Sequence, residues 1–347
     1  MQDIAELAQV SSATVSRVLA NSPKVHPDTR RRIEEIIARE GYEPNHLARS
    51  LTLKRTQTIG VVVEDIGNPF FVEVARETER VLQNEGYAMI LTSSGWTAGR
   101  ELELLRTLVR NRVDGILLAP ISADSPSLSL LESQGIPFVL LNVHSADPRV
   151  PSVATDNVRG GAMAAQLLLS AEPELIISLQ GFPHQSTFDR VHGFTAIVER
   201  ARSERRESER EIRYRLVEGV RCYEEGYESA QRLLSEEGIH TCKSAIFATN
   251  DDVAMGVLAC LSDHAVPVPS RVAVVGYDDI PMAKRFQIPL TTIGQPIRDM
   301  GRIGAEELLR RLKDPERQGK HYSLLPRLVQ RSSTVTSPRT FRGEGVL

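Results

Sequence analysis

The sequence predicts a small all-α unit followed by an α/β core of two similar parallel-sheet subdomains. Three observations carry this expectation. Before residue 52, apolar residues recur only at helical spacing. From Thr58 onward, short runs rich in Val, Ile and Leu alternate with helical stretches, the pattern of parallel strands covered on both faces. This alternation lasts for roughly 280 residues, more than one sheet comfortably holds, so two subdomains are expected.

The elements follow in order. Ile4, Ala5, Leu7 and Ala8 form the apolar face of a short first helix. A break at Gln9-Val10-Ser11 follows, with Ser11 suited to cap a second helix over residues 12–20, its hydroxyl able to accept from an unpaired N–H of the first turn. Val15, Val18 and Leu19 face inward on that helix. Pro27 suits the first turn of a third helix, which buries Ile33, Ile36 and Ile37 and stops at Gly41. Three short helices with a tight turn between the first two describe a helix-turn-helix. In the core, strands are expected at Ile59–Val63, Ala88–Leu91, Gly115–Ala119, Phe138–Leu141, Leu175–Leu179, Ala245–Ala248 and Val272–Val275. Helices are expected at Phe71–Glu85, Arg100–Asn111, Arg159–Ser170, Phe188–Ala201, Gly226–Glu236, Asp252–His264 and Pro296–Leu312. Ligands of such sheets bind at the carboxyl ends of the strands, here toward a cleft between the halves.

Composition narrows the function classes. The chain is 41% apolar and 25% charged, as in an ordinary soluble globular protein. A net charge of -3 provides no global basic field, so nucleic-acid contact would need a local patch. Residues 1–55 carry nine Lys/Arg against seven Asp/Glu, a local excess of two positive charges (9 − 7). Cys222, Cys242 and Cys260 are too far apart for a metal or redox pair and suggest reduced thiols in a cytoplasmic protein. No signal-peptide core or membrane-length apolar run is found, so neither export nor a membrane partner is expected. The charge-dense stretch 200–215 interleaves both signs and reads as a solvated helix end and loop.

Catalytic motifs are lacking: there is no GxGxxG, GxxxxGK[ST], HExxH or GxSxG. The adjacent acids Asp251-Asp252 and Asp278-Asp279 have no obvious nucleophile or histidine ligands near them, so hydroxyl binding accounts for them better than acid/base chemistry. No enzyme activity, cofactor or metal is expected.

The segment IAELAQVSSATVSRVLANSPKVHPDTRRRIEEIIAREGYEPNHLARSL resembles the headpiece of the lactose-repressor/galactose-repressor family of bacterial regulators. The blocks DIGNPFF (65–71), RVDGILLAP (112–120), TDNVRGG (155–161), TNDDVAMG (249–256), VAVVGYDDI (272–280) and PLTTIGQP (289–296) resemble the same family in the same order. The resemblance implies a periplasmic-binding-protein-like core. It also implies a cytoplasmic repressor, controlled by a sugar-like effector and binding pseudopalindromic operator DNA as a homodimer. A sugar-binding transport receptor is the alternative, since it would share the core. The implied division is a headpiece at 1–43, a hinge helix and linker at 44–57, and a core at 58–347. Within the core, the N-subdomain takes about 58–155 and 294–320, and the C-subdomain about 156–293 and 321–335.

On this resemblance the second helix enters the major groove. Ser12 and Ala13 lie toward base edges, and Arg17 is the strongest candidate for a guanine contact. Thr14, Ser16 and Asn21 hold phosphates, or Thr14 and Ser16 simply face solvent. Leu51 is the hinge-helix wedge in the minor groove, with Asn45, Ala48 and Arg49 facing the groove or backbone. Two departures weaken the headpiece: Gln9 stands where the family's tight turn usually has Gly, and Met1 begins directly on the first helix. The effector residues implied are Asn68, Phe70, Asn157, Arg190, Arg221, Asn250, Asp278 and Gln295. Arg221 stands where the family commonly places an aromatic. A second arginine in the cleft would favour an anionic sugar derivative; alternatively Arg221 turns outward, or Tyr223 takes the aromatic's role. Trp96 could stack on a sugar face, or serve as a cleft-edge or core residue. The tail after Arg331 has no leucine heptads, so no tetramerising coiled coil is expected.

Overall fold

The computed structural model describes residues 2–19, 22–41, 55–122, 125–204 and 211–334. The chain divides into two compact units between Gln57 and Thr58.

The first unit holds α1 (Gln2–Leu7), α2 (Ser12–Leu19) and α3 (Pro27–Arg39). Its core is Ile4, Ala5, Ala8, Val15, Val18, Val25, Ile33 and Ile36, with Leu19 and Ile37 packed at its edge. Ser11 caps α2, its hydroxyl accepting from the Thr14 N–H at 3.2 Å. Gly41 follows the end of α3 with φ +58°, a conformation that costs glycine nothing. Leu7 departs from the expectation: it is 51% exposed. At 100° per residue it lies about 100° from the middle of the face set by Ile4, Ala5 and Ala8, so it misses the core. Gln9, in the turn, holds φ +50°, a left-handed conformation that disfavours a side chain.

The second unit contains two six-stranded sheets. The first runs through β1 (Thr58–Val63), α4 (Pro69–Asn84), β2 (Ala88–Ser93), α5 (Ala98–Arg110), β3 (Gly115–Leu118), α6 (Pro126–Ser133), β4 (Phe138–Leu141) and β5 (Ser152–Thr155). The second runs through α7 (Asn157–Leu169), β6 (Leu175–Gln180), α8 (Gln185–Glu204), β7 (Arg213–Glu218), α9 (Tyr223–Glu236), β8 (Ser244–Ala248), α10 (Asp251–Asp263), β9 (Val272–Asp278) and β10 (Thr291–Gly294). The chain then gives α11 (Ile297–Lys313), β11 (His321–Leu324) and β12 (Arg327–Val329). Strand orders are β11-β5-β4-β3-β1-β2 and β12-β10-β9-β8-β6-β7. The two orders correspond strand for strand, so the halves repeat one strand order and differ in the direction of the last edge strand. All pairings are parallel except β10 with β12. Val, Ile and Leu dominate the central strands, which are buried along their whole length apart from Thr58 at the start of β1.

The chain crosses between subdomains three times: after Thr155, after Gly294 and after Leu324. The third crossing corrects the expected boundary at residue 320. β11 pairs with β5 in the first sheet, because His321–Leu324 supplies that sheet's missing edge, and only β12 belongs to the second. The crossings are tied together: the Asp156 N–H donates to the Leu324 carbonyl at 2.8 Å, and the Thr155 hydroxyl to Gln295 Oε1 at 2.6 Å.

Sequence patterning missed β5, β7, α6, β10, β11 and β12. β7, β11 and β12 are edge strands, half-exposed and polar, so they lack the apolar run that marks a buried strand. Stretch 200–215 does join a helix to a strand. Three of its described arginines pair with acids, Arg200 with Glu204, Arg202 with Glu199 and Arg215 with Glu237, while Arg213 points to the Cys242 sulfur at 3.6 Å. All three cysteines are free thiols. Among the described residues no helix is long and apolar enough to cross a membrane.

Helix pair α7/α8 packs backbone to backbone. A Cβ on Gly161 would run into the Arg190 carbonyl oxygen, and one on Gly193 into that of Val158. Gly161→Ala is therefore expected to lower the core's stability by about 2–3 kcal/mol, read as a shift in the urea midpoint. Gln9→Gly should act the other way on the first unit. Relief of about 1 kcal/mol of backbone strain would slow hydrogen exchange at the Val18 amide roughly fivefold.

Candidate functional site

Two surfaces combine the candidate residues. On α2, Ser12, Ala13 and Arg17 are exposed and Thr14 and Ser16 half-buried, while Val15 and Val18 anchor the opposite face. Ser12, Ala13, Ser16 and Arg17 are spaced i, i+1, i+4, i+5 and so share one outward face. Thr14 is less free than expected, because its hydroxyl lies 3.0 Å from that of Ser11. Asn21, Asn45, Ala48, Arg49 and Leu51 lie outside the described residues.

The second surface is a cleft of about 500 Å³ between the two subdomains. Strand ends and helix N-termini from both halves line it, as expected for doubly wound sheets. Asn68, Phe70, Arg190, Arg221, Asn250 and Asp278 line its wall; Asn157 and Gln295 do not. Those two stand one layer behind. Asn157 Oδ1 accepts from Arg190 Nε at 2.9 Å, and Gln295 Nε2 donates to Asp278 Oδ1 at 2.7 Å. They orient the wall without forming it.

Arg190 is the most constrained side chain of the wall. It is 5% exposed. Its Nη1 donates to the Thr249 carbonyl at 2.6 Å and lies 3.6 Å from Asp278 Oδ1. Its guanidinium carbon sits 3.9 Å above the Tyr277 ring. Burial raises the Asp278 carboxyl to about 6, with Arg190 and the Gln295 amide pulling it back down. Asn68 and Asn250 prove to be helix caps. Asn68 Oδ1 accepts from the Phe70 N–H at 2.9 Å, and Asn250 Oδ1 from the Val253 N–H at 2.8 Å. Asn250 also donates to the Arg221 carbonyl at 3.2 Å. Each Oδ1 thus already accepts a hydrogen bond, which leaves the Asn68 amide and the second N–H of the Asn250 amide as donors.

Arg221 is the cleft arginine that sits against a surface carboxylate. It lines the cleft, but its side chain is 49% exposed and gripped by Glu225 through Nε and Nη2. That grip holds the Glu225 carboxyl below its usual range. The guanidinium also lies 5.2 Å from the Phe182 ring. With Arg190 facing Asp278 and Arg221 facing Glu225, both arginine charges are answered. Asp65, Glu224 and Asp252 remain on the wall. Glu224 and Asp252 sit in the first turns of α9 and α10, where the helix dipole favours negative charge. Burial raises the Asp252 carboxyl, and Glu224 and Asp65 add to the rise.

The acid pairs divide their labour. Asp252 and Asp278 line the cleft, whereas Asp251 is fully buried, accepting from the Ile280 N–H and the Thr292 hydroxyl. Asp279 pairs with Arg327 and Arg331. Among the described residues no cluster of His, Cys, Asp or Glu could hold a metal ion.

Sequence reasoning missed Asn142 and Phe182 on the wall. Both follow a strand, β4 and β6, so applying the strand-end rule to every strand would have found them. Trp96 stands at the cleft edge, stacked on Phe182 with centroids 4.8 Å apart. Trp96, Asn142 and Asp278 hold positive φ of 60°, 63° and 118°, strain that concentrates at functional sites.

The comparisons with known proteins agree with this geometry. Residues 1–45 match the bacterial regulatory proteins of the lacI family, and residues 186–334 the periplasmic binding protein-like domain. The chain is 33% identical over 337 residues to the HTH-type transcriptional regulator RegA of Clostridium saccharobutylicum, covering 96% of this chain and 99% of that one. It is 31% identical over 335 residues to the ribose operon repressor of Haemophilus influenzae, covering 96% and 98%. Among solved structures, a transcriptional regulator CelR–cellobiose complex matches with a TM-score of 0.69 at 28% identity, over 95% of this chain and 98% of that one. A capped recognition helix, a twice-repeated parallel sheet around a cleft and this end-to-end similarity identify the chain as a member of the lacI family of bacterial regulatory proteins.

Proposed function

We propose that the protein is a sequence-specific DNA-binding transcription repressor whose operator affinity is set by a neutral, sugar-like effector in the cleft. The observation that carries the DNA half is the outward face of α2, where Ser12, Ala13 and Arg17 are exposed beside a fully packed core. Arg17 is the one cation on that face and suits bidentate pairing with guanine. Ser12 and Ala13 offer lighter contacts, a single hydrogen bond and a thymine-methyl contact. One such helix reads too few base pairs to be selective. A homodimer on a pseudopalindrome, with half-sites about one helical turn apart, supplies the rest. Leu51 of each copy, with Asn45, Ala48 and Arg49 around it, is proposed to wedge the central minor groove.

The effector half rests on the balance of charge. Both cleft arginines are answered by carboxylates, and what remains is hydrogen-bonding groups, acids and aromatic rings. Such a wall suits a ligand with many hydroxyls and no negative charge. The likeness to a cellobiose-bound regulator and a ribose operon repressor supports the sugar class. An effector that prefers one cleft geometry shifts operator binding by no more than its differential affinity for the two states. A sugar-binding transport receptor would share the core but would have no use for a recognition helix. Membership of a regulator family likewise favours a role without catalysis.

Selection from random DNA duplexes tests the DNA reading. A pseudopalindromic consensus is expected, and Arg17→Ala should weaken binding to it roughly 5- to 150-fold while relaxing one base position. Enrichment of no consensus would sink the idea. For the effector, melting temperature screened against sugars, sugar acids, sugar phosphates and nucleosides should rise with a neutral sugar. Arg221→Ala should then change that sugar's Kd by less than about fivefold, since an exposed ion pair is worth at most about 1 kcal/mol. A rise with acidic ligands alone would overturn the charge argument.

A further inference from the structure

Two buried titratable groups that the ligand reading leaves unused meet where the subdomains face each other. Glu64 follows β1 and is fully buried. Neither of its carboxylate oxygens has a hydrogen-bond partner among the described residues. His184 follows β6 and is 2% exposed. Its Nε2 lies 3.0 Å from the Pro120 carbonyl oxygen and 3.2 Å from Glu64 Oε1, both across the subdomain boundary. Its Nδ1 accepts from the Ser186 N–H at 3.3 Å and lies 2.8 Å from the Ser186 hydroxyl. With Nδ1 accepting, the ring's one proton sits on Nε2 and is donated to Pro120.

Aromatic rings cover the pair. Trp96, from the first subdomain, lies parallel to Phe182, from the second, at an interplanar angle of 9°. Its edge meets His184 at 6.1 Å. These contacts cover a pair that bulk solvent does not reach, Glu64 being fully buried and His184 2% exposed. Burial drives both groups toward neutrality. It raises Glu64 well above the usual carboxyl range, against the Asn142 amide and Arg190, and lowers His184 to about 4, against the Pro120 carbonyl.

We propose that Glu64 and His184 form a proton-holding latch between the subdomains, so that closing the cleft takes up one proton from neutral or alkaline solution. The proposal rests on the reading of the cleft as one that opens and closes, and is independent of the effector's identity and of DNA binding. Ionised Glu64 beside neutral His184 would leave an uncompensated charge in a dry site. A neutral pair and an ion pair both hold one proton, so closure requires one wherever it resides.

In an open, hydrated cleft the two groups return to their ordinary values of 4.5 and 6.5. Between those values the open pair also holds one proton, and closure is indifferent to pH. Above 6.5 the open pair holds none, so closure weakens up to tenfold per pH unit until the closed pair itself ionises. Below 4.5 the open pair holds two protons and closure weakens again. The charged groups facing the pair are Glu101, from α5, and Arg190, from α8. Glu101 keeps its partners within one subdomain, the Ile121 N–H and the Ser125 hydroxyl, each at 2.8 Å.

Trp96 is the single tryptophan of the chain, so its fluorescence reports the stack directly. Acrylamide quenching of the ligand-free full-length protein should be low and flat from pH 5 to about 6.5 and rise above it. Glu64→Gln cannot ionise and should keep Trp96 shielded to pH 8.5. His184→Gln removes the group that holds the proton in the open state, so the rise should begin about two pH units lower, near 4.5. The opposite shifts keep the test decisive if either variant fails to fold. Quenching of the wild type that is flat to pH 8.5, or profiles of the folded variants that coincide with it, would falsify the latch.

Discussion

The ligand-binding half of the protein depends on how a single buried guanidinium is satisfied. Arg190 brings a charge into a place where it is 5% exposed, and such a charge is tolerable only if every direction is answered. Asn157, the Thr249 carbonyl, Asp278 and the Tyr277 face answer it. Two of those groups are themselves tied to the crossings between subdomains. Asn157 opens the helix after the first crossing, and Asp278 is held by Gln295 on the second. The close approach of α7 and α8, allowed by Gly161 and Gly193, sets the register that brings Asn157 against Arg190. Sheet, crossings and cleft wall are therefore one mechanical assembly, and a ligand touching Arg190 or Asp278 touches the hinge at one remove.

Charge in the cleft is distributed so that little of it is free. Acids at the first turns of α9 and α10 sit against helix dipoles, and each arginine meets a carboxylate. Such a wall discriminates by the geometry of its hydrogen bonds more than by net charge. Across from Asp278, the boundary is fastened by an aromatic stack over a carboxyl and an imidazole, which brings proton number into the same equilibrium. Sugar and proton would then act on one motion from different sides of the cleft, each limited to its differential affinity for the open and closed forms.

Much of this was legible in the sequence. Helical spacing, Ser11, Pro27 and Gly41 set the three helices of the first unit, because caps and breakers act locally. Alternating apolar runs marked β1, β3, β4, β6, β8 and β9, since a parallel strand covered on both faces must be apolar throughout; they also marked the half-exposed edge strand β2, while the buried but short β5 and β10 went unmarked. The family resemblance, which puts Gly where this chain has Gln9, anticipated the left-handed turn there. The edge strands β7, β11 and β12 escaped because a half-exposed strand carries no continuous apolar run. With them went the position of the third crossing.

What only the tertiary structure decided is which polar groups are free. Resemblance put Asn68, Asn250, Arg221, Asn157 and Gln295 at a ligand. The first three do line the cleft, but packing also engages Asn68 and Asn250 as helix caps and Arg221 with Glu225, and sets Asn157 and Gln295 one layer behind the wall. The pairing of Glu64 with His184, 120 residues apart in sequence (184 − 64), had no local signal at all. A side chain's type is fixed by the sequence, but its remaining hydrogen bonds depend on neighbours that arrive from other elements. The sequence by itself therefore determined most of the elements, the fold class and the family, while the three-dimensional structure decided the edge strands, the third crossing and which charges the cleft has left to offer.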